Sequence, residues 1–271
     1  MPARIERIVS LAPSMTETVF ALGLQARLAG VTDYCDYPLE ALAIAKVGGA
    51  LTPSLERIVE LRPDVVLATT LLNRRETVDA LDQLGIPVFA ARDPHSVQDV
   101  LLEIASVADV LDAAERGTTL VAELRQRLAA LQQNLAGRKP RRVLFIVWHD
   151  PLITIGRNTF IADALRHAGG ESVIDLEQDW PRISLEEVVR LDPEVLVFAS
   201  SHSEAVLQTF EALAGRPAWQ NLTAIKKRQY ATISDAVNRP APRLVQAIEQ
   251  LARQLHPEAF AAPSAAPGGV R

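Results

Sequence analysis

The stretch SLERIVELRPDVVLATT, residues 54–70, returns as SLEEVVRLDPEVLVFAS at residues 184–200, matching in pattern along its whole length without a gap. Each copy opens on a serine, whose hydroxyl can accept a hydrogen bond from an early backbone N–H and so cap a helix. Apolar residues then fall at Leu55, Ile58, Val59 and Leu61, and again at Leu185, Val188, Val189 and Leu191, a spacing that gives about two helical turns with one buried face. Pro63 and Pro193 stop the helix, because the residue before a proline is pushed out of the helical region. The Val/Leu run behind each proline reads as a strand buried on both faces, the habit of parallel sheets. A single recurrence between starts at 54 and 184 predicts two similar lobes, where a shorter and repeated period would predict a solenoid.

The flanks extend this unit. In the first half, strands predicted over Arg7–Leu11, Leu28–Thr32, Asp64–Ala68 and Ile86–Ala90 alternate with helices starting near Ser14 and Asn73. In the second, strands over Arg142–Val147, Val173–Ile174, Glu194–Phe198 and Gln229–Ile233 alternate with helices near Phe160, Glu204 and Ala241. Such alternation predicts an α/β chain with one parallel sheet per lobe, flanked by helices. Between the halves, Leu120, Leu124, Leu128, Leu131 and Leu135 share one face of a helix expected over Asp112–Ala136, a rod of roughly 37 Å at 1.5 Å per residue. Gly137 and Pro140 end it. The expected organisation is an N-terminal lobe over 1–105, a linking helix over 106–138, a C-terminal lobe over 139–258 and a tail over 259–271. That tail is Ala, Pro, Gly and Ser with little to bury, and is expected to be disordered. A helical linker limits hinge closure, so a mostly preformed cleft is expected.

Composition narrows the function. The chain has 271 residues, 48% hydrophobic and 23% charged, with a net charge of −5. An acidic chain lacks the clustered Lys and Arg that phosphate backbones require, which argues against nucleic acid. The longest apolar runs, such as Val65–Ala68 and Val143–Trp148, are far below the roughly 18 residues of a membrane span. One cysteine, Cys35, rules out an internal disulfide and a multi-Cys zinc site. No nucleophile elbow, phosphate loop or dinucleotide fingerprint is present, and nothing in the sequence brings Cys35 to His149 as a nucleophile and base. The opening residues, MPARIERIVS, lack the features of a secretion signal; either a leader has been removed, or export proceeds otherwise or not at all.

Four motifs carry a resemblance over about Arg7 to Leu255: VSLAPSMTETVFALGL at 9–24, GVTDYCDYP at 30–38, WPRISLEEV at 180–188 and SDAVNRPAPRL at 234–244. They resemble the class III periplasmic solute-binding proteins of ABC importers, whose two α/β lobes are joined by one helix, and within them the vitamin B12-binding branch. The resemblance implies a non-enzymatic protein, outside the cytoplasm or periplasmic, that captures cobalamin or a related corrinoid between its lobes and delivers it to an ABC permease. It implies a monomer with no cofactor or bound metal of its own, cobalamin being the transported ligand. A siderophore or haem carrier of the same fold, or a cytoplasmic corrinoid-handling protein, is the alternative. By the same resemblance, Tyr34, Asp235 and Arg239 line the ligand cleft, Trp180 is a second-lobe contact, and Glu56 and Glu186 meet permease arginines. The sequence departs from some relatives at GGALTP (48–53) and ATTLLN (68–73), where those carry tryptophans; its first-lobe wall is less aromatic.

The residues themselves admit these roles and blander ones. Aromatic rings suit a flat macrocycle, which adds Trp148 to Tyr34 and Trp180 as a ligand-binding candidate, whereas Tyr37 fits a common Tyr-Pro turn and Trp219 fits helix packing. Asp235, Asn238 and Arg239 follow a predicted strand at its carboxyl end, where open α/β sheets place ligands; a surface Asp235–Arg239 pair is the simpler reading, while the resemblance favours hydrogen bonds of Asp235 and Arg239 with amide groups of the ligand. His149, with Asp150 beside it, occupies the corresponding place after another strand, as a lining residue or a metal contact. Glu56 and Glu186 sit in first helical turns, where the helix dipole alone favours a carboxylate, and Glu187 completes a Ser-x-x-Glu capping box.

Overall fold

The computed structural model describes residues 5–199 and 203–261. The chain divides into two compact units: the first runs to Gln126 and takes in Arg239–Leu244, and the second comprises Arg127–Asn238 and the chain from Val245 on. In the first, β1 (Ile8–Ser10), β2 (Leu28–Val31), β3 (Val65–Thr69) and β4 (Val88–Ala91) form a parallel sheet in the order β2–β1–β3–β4. Its helices are α1 (Pro13–Ala21), α2 (Leu55–Glu60), α3 (Arg75–Gln83), α4 (Val97–Val110) and the first part of α5 (Ala114–Leu135). In the second, β5 (Arg141–Ile146) is followed by a short antiparallel pair, β6 (Trp148–His149) and β7 (Leu152–Ile153). Then come α6 (Phe160–His167), β8 (Gly170–Ser172), α7 (Leu185–Leu191), β9 (Val195–Ala199), α8 (Ser203–Ala214), α9 (Thr223–Lys226), β10 (Tyr230–Ile233) and α10 (Arg243–Leu255). The second parallel sheet runs β10–β9–β5–β8. In each, the chain moves from its first strand to one neighbour, then crosses to the other side, so the two sheets share one topology.

The period of two along the strands sorts the first core into two layers. Ile8, Val65 and Leu67 point to the side of Met15 and Val19 of α1, Val107 of α4 and Leu111 just past its end, while Val9, Val66 and Ala68 meet Ile58 of α2 and Leu81 of α3. In the second unit Leu144, Ile146, Leu196 and Phe198 pack with Val188, Phe210, Leu213 and Trp219. Trp219 is therefore a packing residue.

The duplicated stretch is duplicated in its bonds as well. The Ser54 hydroxyl accepts from the Arg57 N–H at 3.3 Å and that of Ser184 from the Glu187 N–H at 3.2 Å. Arg62 and Asp192, which follow the two helices, are both left-handed, at φ 45° and 42°. Asp64 accepts from the N–H groups of Glu6 and Arg7, each at 2.8 Å, and Glu194 from that of Arg142 at 3.2 Å. Arg7 donates to the Leu61 carbonyl and Arg142 to that of Leu191, so each helix ends on a guanidinium that complements its dipole.

Two expectations change. The segment 106–138 is not one helix: α4 ends at Val110, Asp112 turns left-handed at φ 53° and α5 starts at Ala114. The Ala113 N–H bonds back to the Ala108 carbonyl at 2.8 Å, and Gly117 lets the two helices cross closely, since a Cβ there would lie 2.4 Å from that of Ala108. The strand expected at Val173–Ile174 forms at Gly170–Ser172, with Ile174 buried just beyond it. The tail expected to be disordered lies, from residue 262, outside the described residues.

Candidate functional site

In an open parallel sheet the ligand edge lies beyond the carboxyl ends of the strands where the chain reverses its order. In the first unit that point falls between β1 and β3. Asn73, buried just past β3, ties this edge together: its amide donates to the carbonyls of Leu11 at 3.0 Å and Ala50 at 2.9 Å, and its carbonyl accepts from the Thr69 N–H at 2.8 Å. Leu51, Leu71 and Leu72 stand exposed on the two loops it joins. These leucines occupy the stretches where the sequence lacks tryptophan, so this wall is aliphatic. Replacing Asn73 by alanine strands three backbone groups and is expected to cost about 2 kcal/mol in urea unfolding; a loss under 0.5 kcal/mol would show that water replaces the amide.

Beyond β2, the turn carrying Tyr34 is pinned from behind. Lys46 donates to the carbonyls of Thr32, Cys35 and Ala41 at 3.4, 3.0 and 3.3 Å. The Cys35 thiol is wholly buried, 3.1 Å from the hydroxyls of both Thr16 and Thr32, so this cysteine is a structural residue. Tyr34 is left 64% exposed on the turn. Tyr37, 42% exposed, has its ring stacked 3.8 Å from the Arg243 guanidinium.

Arg239 belongs to this unit. Its Nη1 donates to Glu17 at 3.1 Å and Asp36 at 2.6 Å, while Arg243 gives Glu17 two bonds, at 3.1 and 2.8 Å. Glu17 is only 4% exposed. The hydrogen bond from Arg239, opposed in part by burial, holds the Asp36 carboxyl below its ordinary value. Burial alone would lower the Arg239 guanidinium, but its bonds to Asp36 and Glu17 outweigh that and raise it. Arg239 is engaged by this network, in which Glu17 had no visible signal beyond its place in the TETVF motif.

In the second unit the reversal falls between β5 and β9, and β5 leads directly into Trp148 and His149. Trp148 is opposite Ile153 in the β6–β7 pair, and Ile153 is bridged in turn to Arg182. Bonds from Thr154 to Pro181, Gly156 to Asp179 and Ile183 to Leu152, at 3.1, 2.9 and 3.1 Å, lay residues 179–183 antiparallel beside β7. Trp148, His149 and Trp180 thus come from adjoining backbone segments. Gly156 is required for that approach, because a Cβ on it would meet the Gln178 carbonyl at 1.9 Å. Trp148 and Trp180 remain 56% and 42% exposed; the Trp148 indole N–H is fixed on the Asp150 carbonyl at 2.8 Å, and the His149 ring lies 5.7 Å from the indole. Asp235 and Asn238 are exposed at the two ends of a short turn after β10. Among the described residues no group of three His, Cys, Asp or Glu is placed to hold a metal ion.

Residues 8–237 match the periplasmic binding protein family. The chain belongs to that family. Its members are substrate-binding proteins, which bind a small molecule and hand it to the permease of an ABC transporter. This periplasmic binding protein is 31% identical to the vitamin B12-binding protein of Vibrio cholerae over 257 residues, 94% of its own length and 90% of the relative's. The crystal structure of the periplasmic vitamin B12 binding protein BtuF of Vibrio cholerae superposes with a TM-score of 0.80 at 29% identity, covering 96% of this chain and 99% of that one. The periplasmic haem-binding protein RhuT from Roseiflexus gives 0.81 at 27% identity, over 94% and 99%.

In this binding protein Glu56 and Glu186 are both exposed in the first turns of α2 and α7, one per unit. The Glu186 carboxyl is held below its ordinary value by its own backbone N–H and then by the Ser184 hydroxyl. The capping box expected of Glu187 is half formed: its N–H bonds Ser184, but its carboxylate pairs with Arg190 at 2.5 Å. No helix among the described residues is long and apolar enough to cross a membrane.

Proposed function

We propose that this chain captures a corrinoid, cobalamin first among them, outside the cytoplasm and delivers it as a monomer to an ABC permease. The observation that carries the ligand class is the near full-length likeness to a vitamin B12-binding protein at 31% identity. The surface chemistry suits it. Trp148, Trp180 and Tyr34 offer exposed ring faces with polar edges, which a flat macrocycle rimmed by amides can use, and Leu51, Leu71 and Leu72 offer apolar area in place of further rings. His149, Asp235, Asn238 and Arg239 supply polar contacts at the same carboxyl edges. Glu56 and Glu186, free of ion-pair partners in their own helical turns, are the docking carboxylates for permease arginines. No cofactor is needed beyond the cargo.

Titration with cyanocobalamin, followed by calorimetry and by tryptophan fluorescence, tests this. Saturable one-to-one binding is expected, weakened on the order of tenfold or more by Trp180→Ala or Trp148→Ala, as is usual for buried aromatic anchors. Binding of haemin without any of cyanocobalamin would replace this reading by a haem carrier, which the 27% identity to RhuT supports.

A further inference from the structure

Arg239 uses only part of its hydrogen-bonding capacity. A guanidinium has five N–H donors, and both internal bonds of Arg239 are made by Nη1; among the described residues nothing bonds its Nε or Nη2. The side chain is 21% exposed, so those donors are open to a ligand. Their electrostatic setting is unusual for an arginine. Two guanidiniums, of Arg239 and Arg243, face two carboxylates, of Glu17 and Asp36.

We propose that the Glu17–Arg239–Asp36–Arg243 network is a specificity device, a charge-balanced donor that accepts neutral carbonyl groups of the ligand and disfavours carboxylates. This rests on the proposed role as a corrinoid carrier and deepens it, because a corrin rim bears uncharged amides whereas haem bears ionised propionates. An amide oxygen approaching Nε and Nη2 gains the hydrogen bonds of a guanidinium whose own charge is already matched. A carboxylate gains the same bonds but is drawn in by little net field, and it approaches Asp36 and Glu17 as a like charge. Glu17 is the positioning residue: it holds Arg239 by one nitrogen and turns the others outward. Asp36, on the exposed side, sets the balance.

The test is the ratio of affinities for cyanocobalamin and for its monocarboxylic acids, in which one peripheral amide is hydrolysed, in the wild type and in Asp36→Asn. The wild type is expected to favour the full amide over the acid bearing its charge at Arg239 by about tenfold. Asp36→Asn, which adds one net positive charge at a surface position, is expected to shrink that ratio at least fivefold and to tighten haemin binding by a similar factor. Glu17→Gln should move both quantities the same way if it folds. An unchanged ratio in Asp36→Asn, or a wild type that prefers the acid, overturns the proposal while leaving the corrinoid reading intact. A wild type that binds haemin but no corrinoid sinks that reading instead, and the haemin response to Asp36→Asn then decides the charge selection alone.

Discussion

Glu103→Gln is expected to stabilise the protein by about 3 kcal/mol at pH 8.5 and by less than about 1 kcal/mol at pH 5. Glu103 of α4 lines a cavity of about 700 Å³ beside β4, with Phe89, Ala91, Leu102 and Asp93 among the other walls. Its Oε1 is buried with no hydrogen-bond partner. Burial first, and then the Asp93 charge, push its carboxyl from 4.5 to about 8. Between those two values the folded chain keeps a proton that the unfolded chain has lost, so stability falls as pH rises through that window and the whole penalty is present above about 8. A shift of that size corresponds to roughly 4–5 kcal/mol at 1.36 kcal/mol per pKa unit, and water entering the open side of the cavity reduces it. Glutamine has the same shape and no proton to lose, so the variant's stability should be nearly flat where the wild type declines. Urea unfolding at pH 5, 6.5 and 8.5 measures both curves; parallel curves would mean that Glu103 is solvated in the native state.

The contrast between what the sequence discloses and what it hides has a physical basis. The two sheets were legible because Ser54 and Ser184, Pro63 and Pro193, and the apolar runs after them act locally: a cap, a stop and a buried strand each follow from a few adjacent residues. The equivalent left-handed residues Arg62 and Asp192 were not legible, since neither is glycine and both conformations are imposed by the helix end. The helix expected over Asp112–Ala136 forms as α5, whereas α4 before it was folded into the linker at 106–111, because the turn at Asp112 depends on α4 and α5 packing through Gly117. Trp148 and Trp180 were marked as aromatic ligand-binding candidates, but the antiparallel register that sets them on adjoining segments needed the Gly156–Gln178 approach, a contact between distant positions. Arg239 was marked by the family motif as a ligand contact, with a surface pair to Asp235 as the simpler reading, and neither reading pointed to α1. A guanidinium reaching more than 200 residues back to Glu17 leaves no trace in local spacing.

Glu17→Ala is expected to cost about 3–5 kcal/mol, the largest loss foreseen for a single side chain here. Glu17 lies in the second turn of α1 beside the buried thiol cluster, and three hydrogen bonds from two arginines end on its carboxylate. Removing it leaves Asp36 alone to answer two guanidiniums that are each only 21% exposed, and uncompensated buried charge is what makes breaking such a pair so unfavourable. The effect should also be local. Residues Arg239–Leu244 are grouped with the first unit, and their side-chain anchors to α1 are these arginine bonds, so amide exchange across that segment should speed up more than exchange in β1 or β3. Adding Arg239→Ala and Arg243→Ala to Glu17→Ala takes away the stranded charges and should recover about half of the loss, since the deletions are coupled through shared contacts. A Glu17→Ala protein whose urea midpoint stays within about 1 kcal/mol of wild type would mean that water and Asp36 suffice for both arginines, and the positioning role given to Glu17 would fall with it.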